Sequence, residues 1–166
     1  MLLVFEKLKD VSFSRLMAVY EEGNLENAAE FWPDLEQSQQ MIRAEQEFYQ
    51  YLRQIFFTTE HAVLYVWEED GEYVSALRLE PYRDGMLLEA LETHPEHRRK
   101  GYAAALIRAV QKTGLYGKIY SHVGKRNIAS LKTHENCGFR KISDNAVYAD
   151  GSVTSRSCTL CWEEAV

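Results

Sequence analysis

Only three of the 166 residues are proline and only three are cysteine. An odd cysteine count argues against the disulfide scaffold that small secreted domains rely on. No apolar run approaches the roughly 18–20 residues that a membrane-spanning helix needs. The opening Leu2-Leu3-Val4-Phe5 is cut by Glu6 and Lys7, too early for the core of a signal peptide. The expectation is a cytoplasmic protein with no membrane partner. Basic excess is missing as well: 19 Lys and Arg stand against 25 Asp and Glu, a net charge of −6. Nucleic-acid binding needs a basic face for the phosphates, so a nucleic-acid partner is not expected. Repeats, low-complexity tracts and Gly/Ser linkers are absent too, and residues 1–166 read as a single domain. What is present is 46% hydrophobic and 27% charged, a balance that buries a core at this length without covalent staples.

The order of elements reads β-α-α-β-β-β-α-β-α-β-β, an α/β fold around a mixed sheet. A short strand at 2–8 precedes two helical stretches, 13–30 and 36–57; the second carries Met41, Ala44, Phe48, Leu52 and Ile55 near helical period. Three β-rich runs follow at 61–67, 73–79 and 86–94. Asp70-Gly71 and Asp84-Gly85 mark hairpins between them. A helix at 102–113, a strand at 118–123 and a short helix at 128–137 come next, and two strands flank Asp150-Gly151. Strand 86–94, helix 102–113 and strand 118–123 form a βαβ unit, so those two strands run parallel. Ligands of such sheets favour the carboxyl ends of strands, which points to the segment after His94.

That segment, His94-Pro95-Glu96-His97-Arg98-Arg99-Lys100-Gly101-Tyr102-Ala103, opens a helix with three successive cations. A helix N-terminus is already positive, so each cation there is unfavourable by roughly 0.3–1 kcal/mol. The arrangement makes physical sense if a multivalent anion docks on free N–H groups that glycine leaves accessible. A solvated basic turn is the plainer alternative. Later, Asn127 and Gly138 suit the two ends of a helix. Asn127, Ser130, His134 and Cys137 fall on one helical face, either a wet face or the lining of a groove.

Arg98-x-x-Gly101-x-Ala103 after Thr93-His94-Pro95 resembles the coenzyme A pyrophosphate loop of the GNAT family of N-acetyltransferases. The run from Asn127 to Phe139 resembles that family's later helix. The resemblance implies a GNAT-like fold whose sheet splays between the strands at 86–94 and 118–123. It also implies an acetyl-coenzyme A-dependent transferase, with acetyl-coenzyme A as co-substrate and no metal. Pantetheine is then expected along Leu91, Glu92 and Thr93. Pyrophosphate is expected on the N–H groups of Arg99, Lys100, Gly101, Tyr102 and Ala103, with Arg98 as charge partner, and Asn127 and Ser130 line the groove. The family often has tyrosine where this chain has His134. An imidazole can donate a proton to the departing thiolate, or the role can be lost.

Attack by an amine requires a group that removes its proton. Glu89 and Glu92 lie on the strand leading to the loop, and strict alternation sends them to opposite faces. Glu89, on the face of Leu91 and Thr93, is the preferred base. The competing reading is a glutamate that decorates the sheet. Cys158-x-x-Cys161 sits in a strand run with no second ligand pair, and Pro95 keeps His94 and His97 off a common helix face, so no metal site is expected. The family pocket would place the acceptor near Phe31, Trp32, Asp34, Glu36 and Tyr148. The function expected is acetyl transfer to a primary amine of a small molecule, amino acid or peptide. A non-catalytic acyl-coenzyme A sensor of the same fold is the alternative, and a homodimer is compatible with either.

Overall fold

The computed structural model describes residues 1–166. Seven strands form one sheet in the order β1-β2-β3-β4-β5-β9-β6, with β1 at Leu2–Phe5, β2 at Val63–Glu69, β3 at Glu72–Tyr82, β4 at Gly85–Thr93, β5 at Lys118–Gly124, β6 at Arg140–Ser143 and β9 at Ser157–Glu163. A separate two-stranded ribbon pairs β7 (Ala146–Val147) with β8 (Val153–Thr154). Helices α1 (Phe13–Phe31) and α2 (Gln37–Gln54) cover one face of the sheet; α3 (Tyr102–Lys112) and α4 (Ile128–Asn136) lie on the other.

Local chemistry explains the meander. Asp70 and Gly71 both have positive φ, 50° and 79°, as a two-residue turn between twisted strands requires. The second hairpin turns one residue earlier than Asp84-Gly85 predicts. Tyr82 pairs with Gly85, so Arg83 (φ 49°) and Asp84 make the turn. Asp84 holds that turn against β5 through Lys118 at 2.8 Å and the hydroxyl of Tyr120.

The sheet separates two cores. Leu16, Val19, Leu52 and Phe56 from the α1/α2 side meet Leu64, Val66 and Ala76. On the other side Leu106, Ile107 and Val110 meet Tyr65, Leu77, Leu79, Leu88, Ile119 and Val123. Alternate residues of β2 and β3 thus feed opposite layers, the period-two pattern of a sheet covered on both faces.

The tail departs from expectation. Two strands around Asp150-Gly151 are predicted; four are found, because Arg140–Ser143 forms a further edge strand and the run from Val153 is broken before Ser157. Asp150-Gly151 closes only the small ribbon, and β9 inserts between β5 and β6. Cys158 and Cys161 join different clusters on opposite faces, and all three cysteines are free and buried.

Leu77 is fully buried at the centre of the α3-side core. Truncation to alanine should cost about 2–5 kcal/mol. Urea denaturation of wild type and Leu77→Ala measures it directly.

Candidate active site

Strands β4 and β5 are paired in parallel only at Met86–Ile119, Leu87–Tyr120 and Leu88–Ser121. Both strands continue, to Thr93 and Gly124, without further pairing to each other. From Glu89 onward the β5-facing edge of β4 therefore offers unpaired backbone groups, while its other edge stays paired to β3 as far as Thr93.

Within this opening β4 carries a bulge. Its register against β3 passes from Arg78–Glu89 to Ala76–Glu92, so Ala90 and Leu91 together face Leu77. Ala90 has φ 53°, a left-handed conformation that costs a non-glycine residue about 1–2 kcal/mol. The phenol of Tyr20 on α1 donates a 2.7 Å hydrogen bond to the Ala90 carbonyl and holds the distortion in place. An extra residue inverts the alternation beyond it. Glu89 and Glu92 therefore share the α1/α2 face, and Leu91 turns to the α3-side core. The expected separation of the two glutamates by alternation is thus corrected, and so is the expected common face of Glu89 and Leu91.

Two adjoining cavities flank the bulge and share Ala90. One, about 670 Å³, is lined by Glu80, Leu88, Glu89, His122, Tyr148 and Asp150 among others. Burial and the nearby Glu80 carboxylate push the Glu89 carboxyl up to about 7, against a smaller opposing pull from Arg78. One oxygen of Glu89 is buried without a hydrogen-bond partner, and so is Nε2 of His122. His122 stands edge-on to Tyr82 and Tyr148, with ring centroids 5.4 and 5.5 Å away. Its burial and the Arg83 cation lower its pKa. The second cavity, about 380 Å³, lies among Tyr20, Asn24, Asn27, Phe48, Tyr51, Arg78 and Glu92. Burial raises the pKa of Glu92, while Arg98 opposes that shift. Tyr148 lines the first cavity. Phe31, Trp32, Asp34 and Glu36 line neither; the α1 and α2 residues that do lie closer to the sheet.

At the carboxyl end of β4 a 3₁₀ turn at Pro95–His97 leads into the loop. Arg99 and Gly101 both have positive φ, 62° and 80°. No side chain caps α3, and its first intrahelical bond runs from Ala105 to the Gly101 carbonyl. The N–H groups of Arg99, Lys100, Gly101, Tyr102 and Ala103 thus remain free at a helix N-terminus, a combination that favours anions. Nothing lies within 4 Å of a Cβ placed on Gly101. Arg98 is paired with Glu22 of α1 at 2.7 Å. Thr93 faces Ser75, whose hydroxyl lies 3.4 Å from that of Thr93.

On the later helix Asn127 is exposed and Ser130 half-buried, whereas His134 is turned inward. Asn127 caps α4 by accepting the Ser130 N–H at 3.1 Å. His134 is 1% exposed. Its Nδ1 lies 2.7 Å from the Ser130 carbonyl and its Nε2 2.9 Å from the Ser121 hydroxyl. A carbonyl can only accept, so Nδ1 carries the proton and Nε2 accepts from Ser121. Burial lowers the imidazole pKa, which keeps it neutral. Neither nitrogen has a proton free to give, so the expected delivery of a proton by His134 finds no support in this geometry. The imidazole pins α4 to β5 at the last paired position before the strands part.

Arg78, Glu80, His122 and Tyr20 escape sequence reasoning because they belong to no local pattern. They gather from α1, β3 and β5 only when the sheet forms. The sequence over residues 13–139 matches the model of the acetyltransferase (GNAT) family. The chain belongs to that family. No curated protein matches it in sequence. Among solved structures, an N-acetyltransferase from Staphylococcus aureus Mu50 is similar at 15% identity, covering 98% of each chain, with a TM-score of 0.60. An aminoglycoside 6′-acetyltransferase type Ii is similar at 12% identity over 98% of this chain and 96% of that one, with a TM-score of 0.63. A GNAT acetyltransferase from Elizabethkingia anophelis, solved with acetyl-CoA bound, is similar at 16% identity over 68% of this chain and 82% of that one, with a TM-score of 0.53.

Tyr20→Phe removes the hydrogen bond to Ala90 and keeps the ring. It should destabilise the protein by about 1 kcal/mol, and chemical denaturation with the Tyr49→Phe control, an exposed tyrosine whose hydroxyl bonds no other residue, separates this from a general loss of hydroxyls.

Proposed function

We propose that this GNAT protein moves an acetyl group from acetyl-coenzyme A to a primary amine of a small molecule, amino acid or peptide, directly and within a ternary complex. The observation that carries the reading is the parting of β4 and β5 after Leu88–Ser121, with free N–H groups at the end of the parted strand. The residues present fit the coenzyme. The open edge of Leu91 and Thr93 suits the amide groups of pantetheine. The N–H groups from Arg99 to Ala103 suit the pyrophosphate. Arg98 can join them if it exchanges its Glu22 partner for phosphate. When bound, the coenzyme supplies a thioester carbonyl open to nucleophilic attack.

The chain's own groups then act on the amine. An ammonium has no lone pair, so the acceptor must lose a proton before it attacks. Glu89 lies where the strands part, and its raised pKa makes it a stronger base than an ordinary carboxylate while still ionised at mildly alkaline pH. His122, kept neutral by burial and Arg83, faces the same cavity with Nε2 free and helps exclude water with Tyr148. His134 holds the frame and is not assigned a proton transfer. The acid groups of the cavity, Glu80, Glu89 and Asp150, draw a cationic acceptor.

Two outcomes test this. Gly101→Val forces a branched side chain into a left-handed position, at a cost on the order of 1–3 kcal/mol. The loop should leave its anion-binding shape, and calorimetry should show the Kd for acetyl-coenzyme A raised by about tenfold or more. An unchanged Kd removes the pyrophosphate assignment.

A base must be ionised to accept a proton, so kcat/KM should rise with pH through about 7 as Glu89 loses its own. Glu89→Gln should lower kcat by about 10²–10⁴-fold and abolish that limb. Binding of acetyl-coenzyme A without turnover of any amine would make the protein a sensor instead.

A further inference from the structure

Arg78 sits in the middle of the α1/α2 face of the sheet under an aromatic roof. Its Cζ lies 5.5 Å from the Phe48 ring centroid, 5.1 Å from that of Tyr51 and 5.6 Å from that of Phe56. Rings at these distances favour a cation, but the Phe48 and Phe56 rings and the neutral Tyr51 phenol carry no charge to balance it. Arg78 forms no ion pair, and its Nε and Nη1 are buried without partners. Its neighbour across the strands, Glu89, has a buried unpartnered oxygen of its own. A guanidinium and a carboxylate thus stand side by side, each with unmet bonding capacity, and do not close on one another. An unpaired charge withdrawn from water is costly, and such a cost persists where a ligand relieves it.

The two groups border the two adjoining cavities. Arg78 lines the 380 Å³ cavity with Glu92, Asn24, Asn27 and the phenol-bearing Tyr20 and Tyr51; Glu89 lines the other beside the parted strands. Directly opposed residues of neighbouring antiparallel strands are only about 5 Å apart at Cβ. A purely cationic acceptor would meet Arg78 as a like charge. A neutral amine would leave it unpaired. An acceptor whose ammonium meets Glu89 and whose carboxylate meets Arg78 satisfies both.

Resting on the acetyl-transfer reading above, we propose that the acceptor is an amino acid, a zwitterion whose carboxylate is bound by Arg78 while its amine is presented at Glu89. The short spacing of the two residues favours an amine and a carboxylate on the same or adjacent carbons. The aromatic and amide groups of the Arg78 cavity then receive the side chain.

The test compares each of the common L-amino acids with its carboxamide and its decarboxylated amine, compounds that keep the amine and the side chain. Turnover is read by thioester consumption, and binding to the enzyme with coenzyme A present is read by calorimetry. A charged hydrogen-bonded pair lost from the site should lower kcat/KM and affinity by about 10–100-fold, so at least one amino acid should exceed both of its analogues by that factor. In Arg78→Met the ratio should fall to near one, and Arg78→Lys should keep part of it. Equal handling of amino acids and analogues by the wild-type protein overturns the proposal, whether or not the variants fold. A preference that survives in folded Arg78→Met overturns it too. Absence of turnover for every amine would count against acetyl transfer, while the binding ratios would still decide the role of Arg78.

Discussion

The contact between the Tyr20 hydroxyl and the Ala90 carbonyl joins the first helix to the one residue where β4 changes its pleat. Most of the site follows from it. The bulge turns Glu92 to the same side as Glu89, which the hairpin register already sets opposite Arg78, and both bordering cavities are roofed by α1 and α2 or by the small ribbon. A regular strand would point one of the glutamates into the α3-side core, where leucines and valines supply no partner. The backbone strain at Ala90 thus lies next to the proposed base, a pattern common at functional sites.

The parting of β4 and β5 depends on a second anchor. Ser121 is the last β5 residue paired with β4, and its hydroxyl is tied to His134, whose other nitrogen is tied back to α4. Helix α4 is short and does not hold itself in place by length, so a buried imidazole with both nitrogens satisfied fixes it well. The second half of the polar stripe on α4, His134 and Cys137, is consequently an inward face, while Asn127 at its start is exposed. Cys137, on the same stripe, is buried against α3.

Much of this architecture is legible in the residues. The Asp70-Gly71 turn, the uncapped basic entry to α3 and the Asn127 cap each rest on chemistry confined to a few neighbours in the chain, and the structure reproduces them. The faces of Glu89 and Glu92 were not legible, because an alanine in a left-handed conformation leaves no mark in sequence and alternation is the only guide without it. His134 reads as a proton donor only while its burial is unknown. Arg78 looks like an ordinary strand residue until Phe48, Tyr51 and Phe56, from elements more than twenty residues away, are seen around it. Local signals are therefore readable where one turn or cap suffices, and unreadable where the environment is assembled from several elements.

The position of β9 has a consequence for how the molecule is made. This strand, Ser157–Glu163, lies inside the sheet between β5 and β6, and β5 has no other antiparallel partner. During synthesis every element from β1 to α4 emerges before it. The meander and its helices can pack from local contacts, but β5, one wall of the opening, stays without its outer neighbour until the last part of the chain arrives. Pairings between distant segments are slow to form, and an unpaired edge invites association while it waits. The end of the molecule proposed to receive the anion is thus complete early, whereas β5, one wall of the opening, is secured only once β9 pairs with it.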